Sequence, residues 1–259
     1  MYKRSLLSKI KNNFISKYFR NRFNLSPIFI DTSKISKSSI ISDTFLWRTD
    51  NGYETVFKFS DILRIFLQKS GTVAHFQFYD KDNKFVFEKK MSKLDFSNKL
   101  KINEDFLNGI RDFGYFTVFF EIENFEHYEK VVFSNRCYLG FSKNGQNPSM
   151  VHGNTYSISK TFDLKYEFNN FVGTSLLQKQ EYLIQNSFDD FDFSELIFVN
   201  PTSKKVRFSL CGKKYLLEKN SSKIIEIKKE KLIKIKSNCY WLRPIIFNYK
   251  NNYMDVYHS

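Results

Sequence analysis

Apolar and polar residues alternate along most of this chain with a period of two, the spacing that sends successive side chains to opposite faces of a β-strand. In residues 73–79, His75 and Gln77 stand against Phe76 and Phe78, and a polar turn at 80–83 leads into 85–89. This predicts a hairpin. Asn51-Gly52, between 45–48 and 54–59, predicts another. Residues 115–123 are a nearly continuous aromatic run, as expected of a strand inside a packed core, and 131–141 read as the next strand. Alternation returns at 156–158 and 162–168, and residues 178–185 read as extended. Short strands then follow at 196–200, 206–210, 215–218, 224–227, 232–235 and 244–249, punctuated by turn residues at 201–203, 211–212 and 220–222. That rhythm is the one seen in β-sandwiches.

Two stretches depart from the alternation. Asn103 is placed to cap a short helical turn that stops at Gly109. Near the N-terminus Leu6, Ile10, Phe14 and Tyr18 recur every four residues, flanked by Leu7, Ile15, Phe19 and Phe23. Lys9, Lys11, Lys17, Arg20 and Arg22 take the other positions, and the first acidic residue is Asp31. Residues 5–23 are therefore expected to form a basic amphipathic helix. Its stripe either packs on the protein's own sheet or lies on an anionic membrane surface. Residues 25–42 form a polar connector around Pro27, with an edge strand at 28–30.

The expected fold is all-β: two β-sandwich-like domains, residues 36–147 and 148–259, behind an N-terminal segment of residues 1–35. A repeated pattern hints at internal duplication. Phe76-Gln77-Phe78, the strand 85–89 and the segment 94–102 occur in the same order as Phe208-Ser209-Leu210, the strand 215–219 and the segment 224–227.

Composition supports the β reading, since 30 Phe and 15 Tyr favour pleated, half-buried surfaces. The formal charge of +14 attracts polyanions. Yet Ala74 is the one alanine, and Lys and Asn abound as AT-rich codons produce, so part of that charge reflects coding composition. The basic residues are spread through the strands instead of interleaving with aromatics in one run, which makes nucleic acid an unfavoured partner. Cys137, Cys211 and Cys239 are odd in number and form no C-x-x-C, so a reducing, cytoplasmic setting is expected, with contact to the inner membrane surface through residues 5–23.

The sequence carries no phosphate-cradling loop, dinucleotide fingerprint, nucleophile elbow or zinc-protease motif. No cofactor is implied, and no pair of ligand residues has a short metal-binding spacing. Residues 136–154 gather more chemically able groups than any other window, including Arg136, Cys137, His152 and Asn154. Arg136 and Arg243 are cations set among aromatics, Arg243 next to Trp241, which suits bidentate recognition of an anion. His152 lies in irregular backbone between Pro148 and Gly153, and His258 would approach it if the last strand runs back alongside.

The candidate ligand site is thus Arg136, His152, Asn154, Trp241, Arg243 and His258. The expected function is non-catalytic binding or assembly, with an anionic or sugar-like ligand held between the domains. An enzyme would use the same groups, with His152 as general base or metal ligand, His258 as partner and Cys137 or Asp255 completing a metal site. The acidic cluster Asp189-Asp190-Asp192 reads as a solvated turn.

Overall fold

The computed structural model describes residues 13–23, 39–122, 137–152, 154–161, 168–170, 180–184, 190–200, 202, 204–228, 230, 232–239 and 242–258. Strands make up 56% of the chain and helices 9%, so the fold is all-β. The first half holds α1 (Phe14–Arg22), β1 (Ser39–Arg48), β2 (Tyr53–Phe59), α2 (Ile62–Leu67), β3 (Thr72–Asp80), β4 (Phe85–Met91), β5 (Asn98–Ile102), β6 (Phe113–Ile122) and β7 (Cys137–Lys143). Then come β8 (Ser149–Val151), β9 (Asn154–Thr161), β10 (Phe168–Asn170), β11 (Gln180–Leu183), β12 (Phe193–Val199) and β13 (Val206–Leu210). The last are β14 (Lys213–Leu217), β15 (Ser222–Ile227), β16 (Lys234–Ser237), β17 (Ile245–Lys250) and β18 (Tyr253–His258).

Four antiparallel sheets result, with strand orders β10-β9-β1-β6-β3-β4, β5-β2-β7-β8, β11-β16-β13-β14 and β15-β12-β17-β18. They follow one another in a propeller-like ring instead of parting cleanly into the two sandwiches expected from the sequence. The physical reason lies in the β15-β12-β17-β18 sheet, which is apolar on both faces. Leu196, Phe198 and Ile246 point into one core with Phe208, Leu210 and Ile235. Ile197, Ile245, Phe247, Tyr249 and Val256 point the other way, into a core shared with Phe45, Phe57, Phe76 and Phe116. A strand buried on both sides reads as an unbroken apolar run, which is what residues 196–199 and 245–247 are.

The boundary drawn at residues 147 and 148 falls in the loop between the paired strands β7 and β8. β8 pairs with β7 and β9 pairs with β1, so the chain between 149 and 161 completes sheets begun in the first half.

Several local expectations hold and others change. The β3–β4 hairpin forms. Asn103 caps its turn by accepting the Phe106 N–H at 3.0 Å, and Gly109 ends it at a positive φ of 87°. Asn51-Gly52, however, does not close a hairpin, because β1 and β2 lie in different sheets. A 3-10 turn at Asp50–Gly52 carries the chain round that corner, with Asn144 packed where a side chain on Gly52 would stand. α2, missed in the sequence, starts at Asp61, whose carboxylate accepts the Arg64 N–H. The expected strands at 28–30 and 162–167 lie outside the described residues. The outermost strands β4 and β14 carry Lys89 with Lys90 and Lys213 with Lys214.

Around the β1–β2 corner sits a polar network that the sequence analysis did not find. Arg48 is 1% exposed, and its guanidinium lies 4.0 Å from the Tyr53 ring centroid and 5.1 Å from that of Phe247. It donates to both oxygens of Asp50 at 2.7 and 3.1 Å and to Glu195 Oε2 at 2.5 Å. The Tyr249 hydroxyl also donates to Glu195, at 2.5 Å, and bonds the Tyr53 hydroxyl. Burial opposes the charge on Arg48, but the hydrogen bonds to Asp50 and Glu195 more than offset it and hold the guanidinium charged. Glu195 is likewise opposed by burial, yet Arg48 draws its carboxyl below the ordinary 4.5. Burial pushes the Tyr53 phenol up to about 12.

Removing one partner of such a pair strands the others. Arg48→Ala is expected to lower unfolding free energy by about 3–5 kcal/mol, and Glu195→Gln by less, because Arg48 keeps Asp50. Urea denaturation checks both. The contribution of Glu195 is present above its ordinary value of 4.5 and is lost as pH falls through the depressed one. Glu195→Gln therefore flattens the acid limb of the stability curve.

Candidate functional site

The sheets β5-β2-β7-β8 and β15-β12-β17-β18 meet along their edge strands β8 and β18. Ser149 Oγ makes the junction, accepting the Val256 N–H at 3.0 Å and lying 3.2 Å from both Val256 O and Asp255 Oδ1. Gln146 Nε2 donates to Asn252 O at 3.1 Å. Within the first sheet Leu139 pairs with Val151 and Gly140 with Met150. A side chain at Gly140 would collide with Met150 and Pro148, so glycine there allows β8 to lie close to β7.

This pairing decides what stands at the end of the junction. One residue beyond the Leu139–Val151 pair, exposed Tyr138 faces exposed His152 with ring centroids 4.3 Å apart. In the second sheet Ile245 pairs with His258, which brings the start of β17, and hence Arg243, beside the end of β18. The half-buried His258 imidazole is shifted below its ordinary value, first by burial and then by the neighbouring Arg243 guanidinium and His152 imidazole. Arg243 is exposed. Among the described residues no carboxylate forms an ion pair with Arg243, His152 or His258. An exposed phenol ring, one guanidinium and two imidazoles thus stand near the ends of β8, β17 and β18, with no ion-paired carboxylate among the described residues.

Of the six residues expected from the sequence, the structure brings His152, Arg243 and His258 together. Asn154 opens β9, where its backbone pairs with Phe45. Arg136 and Trp241 lie outside the described residues, as does His127. Trp47 is fully buried and donates its indole N–H to Tyr79 O at 2.8 Å, so it offers no stacking surface. His75 is held between Glu88 at 3.2 Å and Glu121 at 3.6 Å, a cross-strand structural role.

The Cys137 thiol, proposed as a metal ligand, is buried, and burial pushes its pKa far up. Among the described residues no group of three or more His, Cys, Asp or Glu is placed to hold a metal ion. Asp192 accepts the Asn251 N–H at 2.7 Å, in keeping with a turn.

Tyr138 is the member of the cluster that sequence reasoning passed over. Its signal is an aromatic at the mouth of a strand, one position outside the first pair of a ladder whose partner strand ends at His152.

A separate open cleft of about 700 Å³ lies over the β1–β2 corner, lined by Asp50, Glu54, Glu104, Asp105 and Arg111 among others. Three of its four acids are already engaged, Asp50 with Arg48, Glu54 with Lys101 at 2.8 Å and Glu104 with Arg111 at 2.6 Å, which leaves the Asp105 carboxylate without an ion pair among the described residues. A single carboxylate offers a ligand less than the basic edge does, so that edge is the better candidate. No family model matches the chain, and no curated protein matches it.

Because burial is the largest cause, Arg243→Gln and His152→Gln should each restore part of the shift in His258 and move its titration upward. The imidazole C–H resonances followed by NMR against pH check this. A titration unmoved by either substitution would mean that the three groups do not share a field.

Proposed function

We propose that this chain is a non-catalytic binding module that takes an anionic ligand at the edge where Tyr138, His152, Arg243 and His258 meet. The observation that carries the reading is the cluster's unbalanced charge. Burial first, and then the neighbouring basic groups, depress the protonation of His258, and an anion is the partner that relieves it. Arg243 supplies a fork suited to carboxylate, sulfate or phosphate oxygens. The exposed Tyr138 ring, tilted 43° to His152, gives an aromatic surface for a sugar ring, which extends the reading to sugar phosphates and acidic sugars. The two imidazoles have no carboxylate partner among the described residues to fix a tautomer, an arrangement suited to holding charge more than to relaying protons.

The finer architecture belongs to the same proposal. The order β1-β6-β3-β4 becomes β11-β16-β13-β14 when ten is added to each strand number, and β5-β2-β7-β8 becomes β15-β12-β17-β18. The sequence echo falls at matching places, with Phe76 and Phe78 in β3 and Phe208 and Leu210 in β13. Both observations support a tandem duplication of one sandwich unit, whose copies share a two-faced sheet. In that scheme β8 and β18 are the same strand in the two copies, and His152 and His258 stand at their ends.

Isothermal titration with inorganic phosphate, sulfate and glucose 6-phosphate tests the reading. Binding is expected to strengthen as pH falls through the His258 titration, because a bound anion raises that group's proton affinity. Arg243→Gln should weaken binding at least about tenfold, in line with the loss of a charge-assisted pair. Heat signals absent for every anion, or equal for the variant, would end it.

A further inference from the structure

The nine residues of α1 have an apolar half that the protein does not cover. Phe14, Ile15, Tyr18, Phe19 and Phe23 are between 54% and 81% exposed. None of them belongs to either core. Over residues 14–23 the stripe is thus left open instead of packing against the protein's own sheet, and the rest of the expected helix, residues 5–12, lies outside the described residues. The helix is properly formed, since Asn13 Oδ1 accepts the Ile15 N–H at 2.9 Å and the Phe23 N–H reaches Phe19 O at 3.0 Å. Tyr18 and Phe19 meet edge to face at 5.9 Å, and Phe19 and Phe23 stack at 6.4 Å.

At 3.6 residues per turn these five positions fall on one half of the helix and Ser16, Lys17, Arg20 and Asn21 on the other. Arg22 interrupts the apolar half in the last turn, where its long stem can lie along apolar surface and carry the charge outward. The sequence preceding Asp31 holds Lys3, Arg4, Lys9, Lys11, Lys17, Arg20 and Arg22 and no acid.

We propose that α1 is a surface anchor that lies in the plane of an anionic lipid membrane, with its rings among the acyl chains and its cations at the headgroups. A nucleic acid would meet the cations and leave five large apolar side chains in water. An apolar groove on a protein would meet the rings, with nothing to gain from positive charge uninterrupted over thirty residues. A membrane carrying anionic headgroups uses both features at once. A helix this short is marginal by itself in water, so the bilayer also supplies the surface that keeps it formed. No helix among the described residues is long and apolar enough to cross a membrane, which leaves the interfacial position for α1.

Sedimentation of the full-length chain with vesicles tests the anchor. Binding is expected with phosphatidylcholine mixed with phosphatidylserine, to weaken with added salt, and to be near background with phosphatidylcholine alone. Phe14→Asn combined with Phe19→Asn should lower the partition coefficient at least about tenfold. Lys17→Gln and Arg20→Gln should each lower it about fivefold. Amides 15–23 should gain hydrogen-exchange protection on the anionic vesicles. The Phe14 and Phe19 variant should keep the wild-type melting temperature, because neither ring packs into a core. Wild-type binding that equals the ring variant, or that ignores phosphatidylserine, overturns the proposal. So does a ring variant that keeps its vesicle binding but loses self-association on gel filtration.

Discussion

A guanidinium taken out of water is tolerated only when each of its nitrogens finds an acceptor and the charge finds its opposite. Arg48 meets that condition by drawing on both halves of the chain: Asp50 and Tyr53 from the β1–β2 corner, Glu195 from β12, and Tyr249 and Phe247 from β17. Its demand fixes where the β15-β12-β17-β18 sheet must lie against the first half. Aromatic packing of Phe247 against Tyr53 at 5.6 Å and Phe141 at 4.9 Å then fills the space around the charge. Hydrophobic burial supplies the attraction between the halves, which is non-directional. The directional bonds of Arg48 select one register among the apolar alternatives.

That placement produces the cationic edge as a consequence. Once sheet faces sheet around Phe247, the edge strands β8 and β18 are brought alongside, and Ser149 joins them through Val256. The ends of these strands then hold His152 and His258. The inner network and the outer cluster treat charge in opposite ways. Inside, each formal charge has its counter-charge, and Lys143 lies 5.2 Å from the Tyr53 and Tyr249 ring centroids at the margin. Outside, Arg243 and His152 stand beside a third basic group, His258, whose protonation is disfavoured first by burial and then by these neighbours. Buried charge has to be balanced for the chain to fold, whereas solvated charge can be left for a ligand to balance.

The strands were legible because local alternation dictates them: β3, β4, β6, β12, β13 and β17 lie within a few residues of their predicted places. What failed depends on long-range pairing. Asn51-Gly52 has the chemistry of a hairpin turn and turns the chain as expected, but whether the strands beyond it pair or part to different sheets is settled by Phe57 meeting Phe45, Phe76 and Phe116 across the core. The two-faced sheet was misread for a similar cause, since the apolar run at 196–199 announces burial without saying how many cores it serves. Arg48 and Glu195 could have been flagged as lone charges inside strongly apolar strands, yet their sequence separation of 147 hid their union. His152 and His258 were paired in the sequence reading through backbone logic alone, and Tyr138 was missed because its partner is defined by register. The proposed repeat is a faint echo in the sequence, and the matching strand orders support it without any single residue announcing it.

The lysines on β4 and β14 have a bearing on the fate of the protein in a crowded solution. A chain this rich in phenylalanine and strand presents open backbone at its outermost ladders, and such rims template fibrils when they are flat and neutral. Lys89 and Lys90 on one rim and Lys213 and Lys214 on the other put like charges wherever two molecules would zip together. Repulsion between such rims opposes edge-to-edge pairing of two copies, an effect of the positive charge that is separate from any ligand.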